Sequence, residues 1–354
     1  MMKKPETLDG ITARMVKTDR LDMHVLTTDE DGIPVLFLHG NFSSALFWEE
    51  TMLALPEGLR AIAPDLRGYG WTEDRRIDAT RGYRDWSEDI LALMDSMAIE
   101  RAHFVAWSLS AGIVYRLIID APDRIRTITL VSPISIHGFG GTRDVDGTPT
   151  FSDFAGSGGG TVNQEFIQLI KDGDRSDEGM NTPRNVINSS YYKPPFRAAR
   201  EEDFLTGALA ERTGEEAYPG DSVPSQNWPF VAPGVWGPIN ASAPKYIQED
   251  AADVLTSTGK PPILWIRGSD DLIVSDNSLF ELGTLGKMGL VPGWPGEEVY
   301  PPQPMVSQTR TFLTAYAEQG GRYTEHAIEE TAHSPHIEKP DVFNAILHDF
   351  LQSN

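Results

Sequence analysis

The sequence predicts an α/β fold, a mostly parallel, doubly wound sheet interrupted after its sixth strand by a large insertion. Three observations predict it. Short apolar runs alternate with stretches in which apolar residues recur at helical spacing, the pattern of a sheet covered on both faces. One such run, Ala102 to Trp107, passes abruptly into a helical stretch at Ser108. The alternation then stops at about Ile134 and resumes at about Lys260, after a segment rich in Gly, Pro and aromatic residues.

Taken in order, residues 11–28 read as a two-stranded hairpin, and 33–38 and 60–64 as short buried strands. Between Tyr83 and Met97, the residues Trp86, Ile90, Leu91, Leu93, Met94 and Met97 fall at helical spacing and predict a crossover helix. Residues 102–107 form the strand that feeds Ser108, 109–120 the helix after it, and 126–132 the next strand. The insertion carries Gly138-Phe139-Gly140-Gly141, Gly156-Ser157-Gly158-Gly159-Gly160 and Tyr191-Tyr192-Lys193-Pro194-Pro195-Phe196. Its glycine run lacks the lysine of a phosphate loop and the strand-to-helix setting of a dinucleotide fingerprint, so it reads as a loop or tight turn. Its aromatics (Phe151, Phe154, Phe166, Tyr191, Tyr192, Phe196, Trp228, Phe230 and Trp236) fit two roles, the insertion's own core or an apolar underside facing a pocket. Beyond it, Ile263 to Ile266 reads as a strand running through Gly268 to the carboxylate pair Asp270-Asp271. A short helix and a Gly/Pro-rich loop, 286–305, separate it from the last strand, 322–328. That loop either rims a pocket or elaborates the surface.

Composition bounds the setting. A chain of 354 residues is ample for a sizeable core, either as one large domain or as a core with a subdomain. It has no cysteine, which excludes thiol catalysis, disulfides and cysteine-held metals. A net charge of -22 repels phosphate backbones and anionic headgroups, so neither nucleic acid nor a membrane is expected as a partner. So much acid reads as a solubilising surface. The opening residues lead into polar sequence without an apolar signal core, and no run of 18 apolar residues occurs. A cytoplasmic location is expected.

Chemistry concentrates at Val105-Ala106-Trp107-Ser108-Leu109-Ser110-Ala111-Gly112. In the pattern G-x-S-x-G, small residues two before and two after the serine let strand and helix backbones approach, which leaves the serine on a strained turn over a helix N-terminus. Here Ala106 and Ser110 hold those places, so the pattern is A-x-S-x-S. A serine that merely caps a helix is the alternative. Four further signals accompany it in one order: His39-Gly40-Asn41-Phe42 after a buried strand, Asp65-Leu66-Arg67-Gly68-Tyr69-Gly70 after the next, the Asp270-Asp271 pair, and Ala332-His333 followed by Glu338-Lys339-Pro340.

Together these motifs resemble the α/β-hydrolase family over roughly residues 20–133 and 260–352. The resemblance implies a hydrolase core of residues 1–133 and 261–354, with 134–260 as a cap or lid over the carboxyl ends of the strands. It implies Ser108 as nucleophile, His333 as base and Asp271 as the acid that orients the imidazole, in the family's chain order. His333 precedes a glutamate and a proline as in the family's G-H-x-x-x-x-E-x-P, with Ala332 in place of glycine. His336 is its competitor, and Asp270 is that of Asp271, which stands where the family places its acid, three residues after Gly268. The amides of Asn41 and Leu109 are the implied oxyanion donors. The Asn41 side chain adds a donor, lines the pocket or merely stabilises its own turn. His39 is expected to shape that loop. Phe42, Trp107, Tyr191 and Trp236 are the candidate substrate contacts.

A serine rather than an aspartate nucleophile argues against the alkyl-enzyme chemistry of haloalkane dehalogenases and epoxide hydrolases. Trp-Ser-Leu resembles the elbow of pimeloyl-carrier-protein methyl esterases and kindred carboxylesterases, without their two glycines and short cap. The expected function is hydrolysis of a bulky, rather apolar carboxylic ester or lactone, macrocyclic ones included, through an acyl-enzyme and with no metal or organic cofactor. An amidase or a C–C bond hydrolase on the same three residues is the enzymic alternative, and a non-catalytic receptor or scaffold the alternative of another class.

Overall fold

The computed structural model of the chain describes residues 3–28 and 31–354. Its central sheet has eight strands: β1 (Ile11–Lys17), β2 (Asp22–Thr28), β3 (Ile33–Leu38), β4 (Leu59–Pro64), β5 (Ala102–Trp107), β6 (Ile125–Val131), β7 (Ile263–Gly268) and β8 (Tyr323–Ile328). Their spatial order is β1-β2-β4-β3-β5-β6-β7-β8. Only β1 with β2 and β2 with β4 run antiparallel. Successive side chains of a strand face opposite sides, and here both sides are covered. Phe104 and Ala106 of β5 join one apolar cluster, while Val105 and Trp107 join the other. That double burial is why these strands read as continuous apolar runs rather than alternating ones.

Helix α1 (Arg84–Ser96) buries Trp86, Ile90, Leu93 and Met94 against the first cluster, as their spacing requires. After β5 the chain makes a tight 3-10 turn, Ser108–Ser110, before α2 (Ala111–Asp120), so the helix expected from 109 begins two residues later. The strand order reverses at β3, with β4 on one side and β5 on the other. Such a point opens a crevice at the strands' carboxyl ends. Because Leu38 pairs with Ala106, the loop after β3 and the turn after β5 leave the sheet side by side.

Residues 134–260 add no strand to the central sheet. They hold α3 (Gln164–Asp172), α4 (Glu201–Leu209) and α5 (Asp250–Thr256), together with two short β-ribbons. Helix α3 shows why these pieces form. The Asn163 side chain accepts from the amides of Glu165 and Phe166, and Gly173 ends the helix in the left-handed region that glycine tolerates. The glycine run is a buried turn pinned by Asn240, whose side-chain oxygen accepts from Gly159 N at 2.8 Å. The insertion's apolar residues do not stand apart. Phe166, Tyr191, Tyr192 and Phe204 pack in the same cluster as Phe37, Trp48 and Trp107, while Ile247 and Val254 join the other.

The 286–305 loop braces the insertion. Tyr300 Oη donates to Gly156 O at 3.0 Å, Gln303 bonds both Gly138 O and Gly140 N, and Trp228 Nε1 donates to Pro292 O. It leads into α6 (Met305–Glu318), a helix that the sequence reading did not identify. Its buried face mixes Met305, Phe312, Leu313 and Tyr316 with Gln308 and Thr309, which blurs the apolar period. Helix α7 (Pro340–Gln352) closes the chain. No helix among the described residues is long and apolar enough to cross a membrane.

Candidate active site

Ser108 follows a fully buried strand and has φ 57°, a left-handed conformation rare for a residue with a side chain. The turn that imposes it is fixed by Ser110, whose hydroxyl shares its one proton between Leu38 O and Trp107 O, each at 2.9 Å. The small residue two places after Ser108 therefore ties the elbow to the neighbouring strand, a bond that glycine could not make. Leu109 sits in the first turn of the helical stretch, where backbone N–H groups lack intrahelical acceptors.

The loop after β3 comes close to this elbow. A Cβ on Gly40 would meet Ser108 Cβ at 3.0 Å and the Trp107 ring at 3.4 Å, so a side chain here would have to push the elbow back by a few tenths of an ångström. His39 is buried and shapes that loop. Its Nδ1 donates to Gly40 O at 2.8 Å while Nε2 accepts from Leu66 N at 3.0 Å, a pattern that requires the neutral ring. Burial lowers its pKa accordingly. Asn41 is held at both ends: Oδ1 accepts from Tyr69 Oη at 2.8 Å, and its carbonyl accepts from Tyr191 Oη at 2.7 Å.

His333 and Asp271 meet directly. His333 Nδ1 lies 2.8 Å from Asp271 Oδ2, and both residues are buried. The other carboxylate oxygen, Oδ1, accepts from the amides of Ile273 and Val274 at 2.8 and 3.0 Å, which fixes its orientation. Asp270 turns outward instead. It accepts from Ser269 Oγ at 2.6 Å and pairs with Lys193 at 3.3 Å, and the Ser269 bond followed by the Lys193 interaction lowers its pKa. The His333 loop is anchored from three sides. Trp107 Nε1 donates to His333 O at 2.9 Å, Ser334 N donates to Tyr191 O at 2.9 Å, and Ala332 N donates to Glu338 Oε2 at 2.7 Å. Glu338 also accepts from Lys193 N at 2.6 Å, joining the insertion to this loop. Burial raises its pKa to about 7.

His336 lacks a carboxylate. Among the described residues neither ring nitrogen has a hydrogen-bond partner, and the ring stacks on Trp48 at 4.2 Å. Burial, and to a smaller extent the neighbouring His333, lowers its pKa to about 3, so it is a neutral core ring.

The four expected substrate contacts part company. Tyr191 lies at the cluster, its ring 5.7 Å from that of His333. It ends a π-helical turn, Ile187–Tyr191, a distortion frequent at functional sites. Phe42 packs edge-on against Phe166 at 5.0 Å and has φ 45°. Trp107 is fully enclosed, and its indole braces the His333 carbonyl, so the expectation of a substrate contact gives way to a positioning role. Trp236 is not brought to the cluster. It bridges to Asp78, and its ring lies 4.5 Å beneath the Arg76 guanidinium.

Sequence reading did not single out Tyr69 and Tyr218, which bond Asn41, or the buried Glu211, whose neighbour Arg212 donates its N–H to Gly68 O beside Tyr69. Only Tyr69 carried a signal, in Gly68-Tyr69-Gly70. Among the described residues no group of three or more His, Asp or Glu is arranged to hold a metal ion.

Comparison with known proteins agrees with the fold. Residues 33–160 match the family model described as alpha/beta hydrolase fold. A 2-hydroxymuconate semialdehyde hydrolase of Pseudomonas sp. (strain CF600) is 32% identical over 108 residues, 30% of this chain and 38% of that protein. Epoxide hydrolase 2 of Siraitia grosvenorii is 28% identical over 141 residues, 40% of this chain and 44% of that protein. The chain thus matches less than half the length of these curated relatives. Among solved structures, a carboxylesterase from Bacillus subtilis superposes with TM-score 0.59 at 13% identity, covering 97% of this chain and 92% of that one. A serine hydrolase from the polyaromatic hydrocarbon-degrading bacterium Cycloclasticus zankles gives TM-score 0.58 at 14% identity, covering 97% and 98%.

Proposed function

Starting from the α/β-hydrolase fold of this chain, we propose that it is a serine hydrolase that cleaves a carboxylic ester or lactone through an acyl-enzyme. The observation that carries this reading is the buried His333–Asp271 pair at 2.8 Å, on a loop whose carbonyl is held by the residue preceding Ser108. In this reading Ser108 attacks the acyl carbon and His333 takes its proton. Asp271 holds the imidazole with Nδ1 protonated and stabilises the imidazolium. The oxyanion is received by the amides of Leu109 and Asn41, donors worth about 3–4 kcal/mol each at such a site. His333 then gives the Ser108 proton to the departing alkoxide, which leaves as the alcohol, and water repeats the sequence on the acyl-enzyme to release the acid and restore Ser108. Residues 134–260 act as the cap that selects substrate, with Tyr191 and Phe42 on its boundary with the core.

A C–C bond hydrolase is the second reading, favoured by the similarity to the 2-hydroxymuconate semialdehyde hydrolase. Ser108 stands against an epoxide hydrolase, in which the resemblance calls for an aspartate nucleophile. The deciding experiment is fluorophosphonate labelling together with turnover of a panel of esters, lactones and vinylogous diketones. Wild-type protein is expected to be labelled at Ser108 and to turn over esters. Ser108→Ala is expected to lose labelling entirely and ester turnover by about 10³-fold or more while keeping its melting temperature. A variant with a tenth of wild-type turnover overturns the assignment, and turnover of diketones alone selects the second reading.

A further inference from the structure

Glu211 is a buried carboxyl near the oxyanion loop for which the proposed chemistry has no use. It is 6% exposed, and among the described residues neither of its carboxyl oxygens has a hydrogen-bond partner. A buried polar group left so calls for an explanation, because its desolvation is uncompensated. Among the described residues no ion pair reaches it, and Arg212, the next residue, engages Asp74 at 3.1 Å through Nε and Thr72 O at 2.7 Å through Nη2, with its Nη1 left unpartnered. The backbone beside Glu211 is tied to the tyrosines that bond Asn41: Arg212 N donates to Gly68 O at 3.2 Å, next to Tyr69, and Tyr218 N donates to Arg212 O at 2.9 Å. Tyr69, Tyr191 and Tyr218 all bond Asn41, which follows directly on the close approach of Gly40 to Ser108.

The hydrogen-bond inventory of this cluster is lopsided. Tyr69 and Tyr191 donate their hydroxyl protons to Asn41, so their remaining capacity is lone pairs. The carboxyl adds further acceptors. A group that donates several protons and accepts none complements that set, and a protonated amine is such a group. Until a cation arrives burial keeps the carboxyl uncharged, its pKa well above the ordinary range.

We propose that Glu211, with the hydroxyl oxygens of Tyr69 and Tyr191, forms a subsite for a protonated amino group of the substrate, beside the oxyanion loop. The subsite rests on the serine-hydrolase reading and names its substrate class, an ester or lactone that carries an amine a few bonds from the scissile carbonyl.

Boronic acids test it, because an activated serine adds to boron and gives a tetrahedral adduct without turnover. Aminoalkyl boronic acids of two to five carbons are compared with alkyl and hydroxyalkyl boronic acids of matched length. At the best length the ammonium compound is expected to inhibit wild-type enzyme about tenfold to a hundredfold more tightly than either neutral partner. In Glu211→Gln, which keeps the shape and removes the charge, that ratio is expected to fall to near one. Equal inhibition by charged and neutral compounds of wild-type enzyme whose Ser108 is labelled by fluorophosphonate overturns the subsite alone. So does equal preference for the hydroxyl compound, or a preference that survives in Glu211→Gln. Failure of every boronate together with failure of labelling overturns the hydrolase reading and the subsite with it.

Discussion

Asp270 and Asp271 are neighbours in sequence, yet their surroundings divide them sharply. One lies in the open beside Lys193, and the other is enclosed between two backbone amides and an imidazole. Asp271→Asn would present an amide N–H or an unfavourable tautomer to His333, and is expected to lower kcat by about 10³–10⁴-fold. Asp270→Asn is expected to keep most activity, and steady-state kinetics on the two variants with one good ester decides their ranking. The sequence reading preferred Asp271 because the family resemblance places the acid three residues after Gly268, a position along the chain rather than a direction in space. Orientation was not legible, because it depends on Lys193, far off in the insertion. His336 carries a prediction of another kind. Its unfolded form takes up a proton below its ordinary pKa of 6.5, while the folded form resists until about pH 3. Unfolding therefore binds a proton in that window, and stability falls as pH drops from about 6.5 toward 3. His103, lowered by burial to about 4, acts in the same direction. His336→Leu is expected to shrink the loss of stability between pH 7 and pH 4.5 by about 2–3 kcal/mol. Urea unfolding at the two pH values measures it, and an unchanged loss removes His336 from the account.

Elements matter here mainly where they end. The carboxyl end of β7 passes against the His333 loop so closely that a Cβ on Gly268 would sit 1.9 Å from Ala332 O and 2.4 Å from Thr331 O. These are backbone atoms, so they yield only if the two loops separate. Gly268→Ala is expected to cost about 1–3 kcal/mol of stability and to lower kcat as well, because separation draws Asp271 from His333. Full activity with lowered stability in melting and kinetic measurements would show that the loops move together. The strands and the elbow were legible because each is short, apolar and locally coded. Helix α6 was not, as buried Gln308 and Thr309 bond across to Gln303, Thr142 and the backbone rather than showing an apolar stripe. Nor could the sequence reveal that Ser110, a departure from the glycine of the motif, bonds Leu38 O and so strengthens the turn.

At the scale of the whole molecule, the division proposed at 134 and 260 is one of chemistry outside and selection inside. Contacts with remote parts of a large substrate can be used to orient it for attack. Within an ester series, kcat/KM is therefore expected to rise with acyl or alcohol bulk beyond the short p-nitrophenyl esters, and Tyr191→Phe is expected to flatten that rise. If acetate and butyrate prove the best substrates, the insertion is a cover without a selective role. Its packing also bears on how such a chain can diversify. Tyr192 and Phe204 are interleaved with Trp48 and Trp107, and Trp107 in turn grips the carbonyl of His333. A segment bound in this way is no interchangeable module. Replacing it with a relative's counterpart would leave the two tryptophans facing foreign surfaces and loosen the histidine behind them. Exchange of the whole segment at the seam's two ends is therefore expected to cost stability and the placement of His333, whereas single substitutions along the seam are expected to keep both.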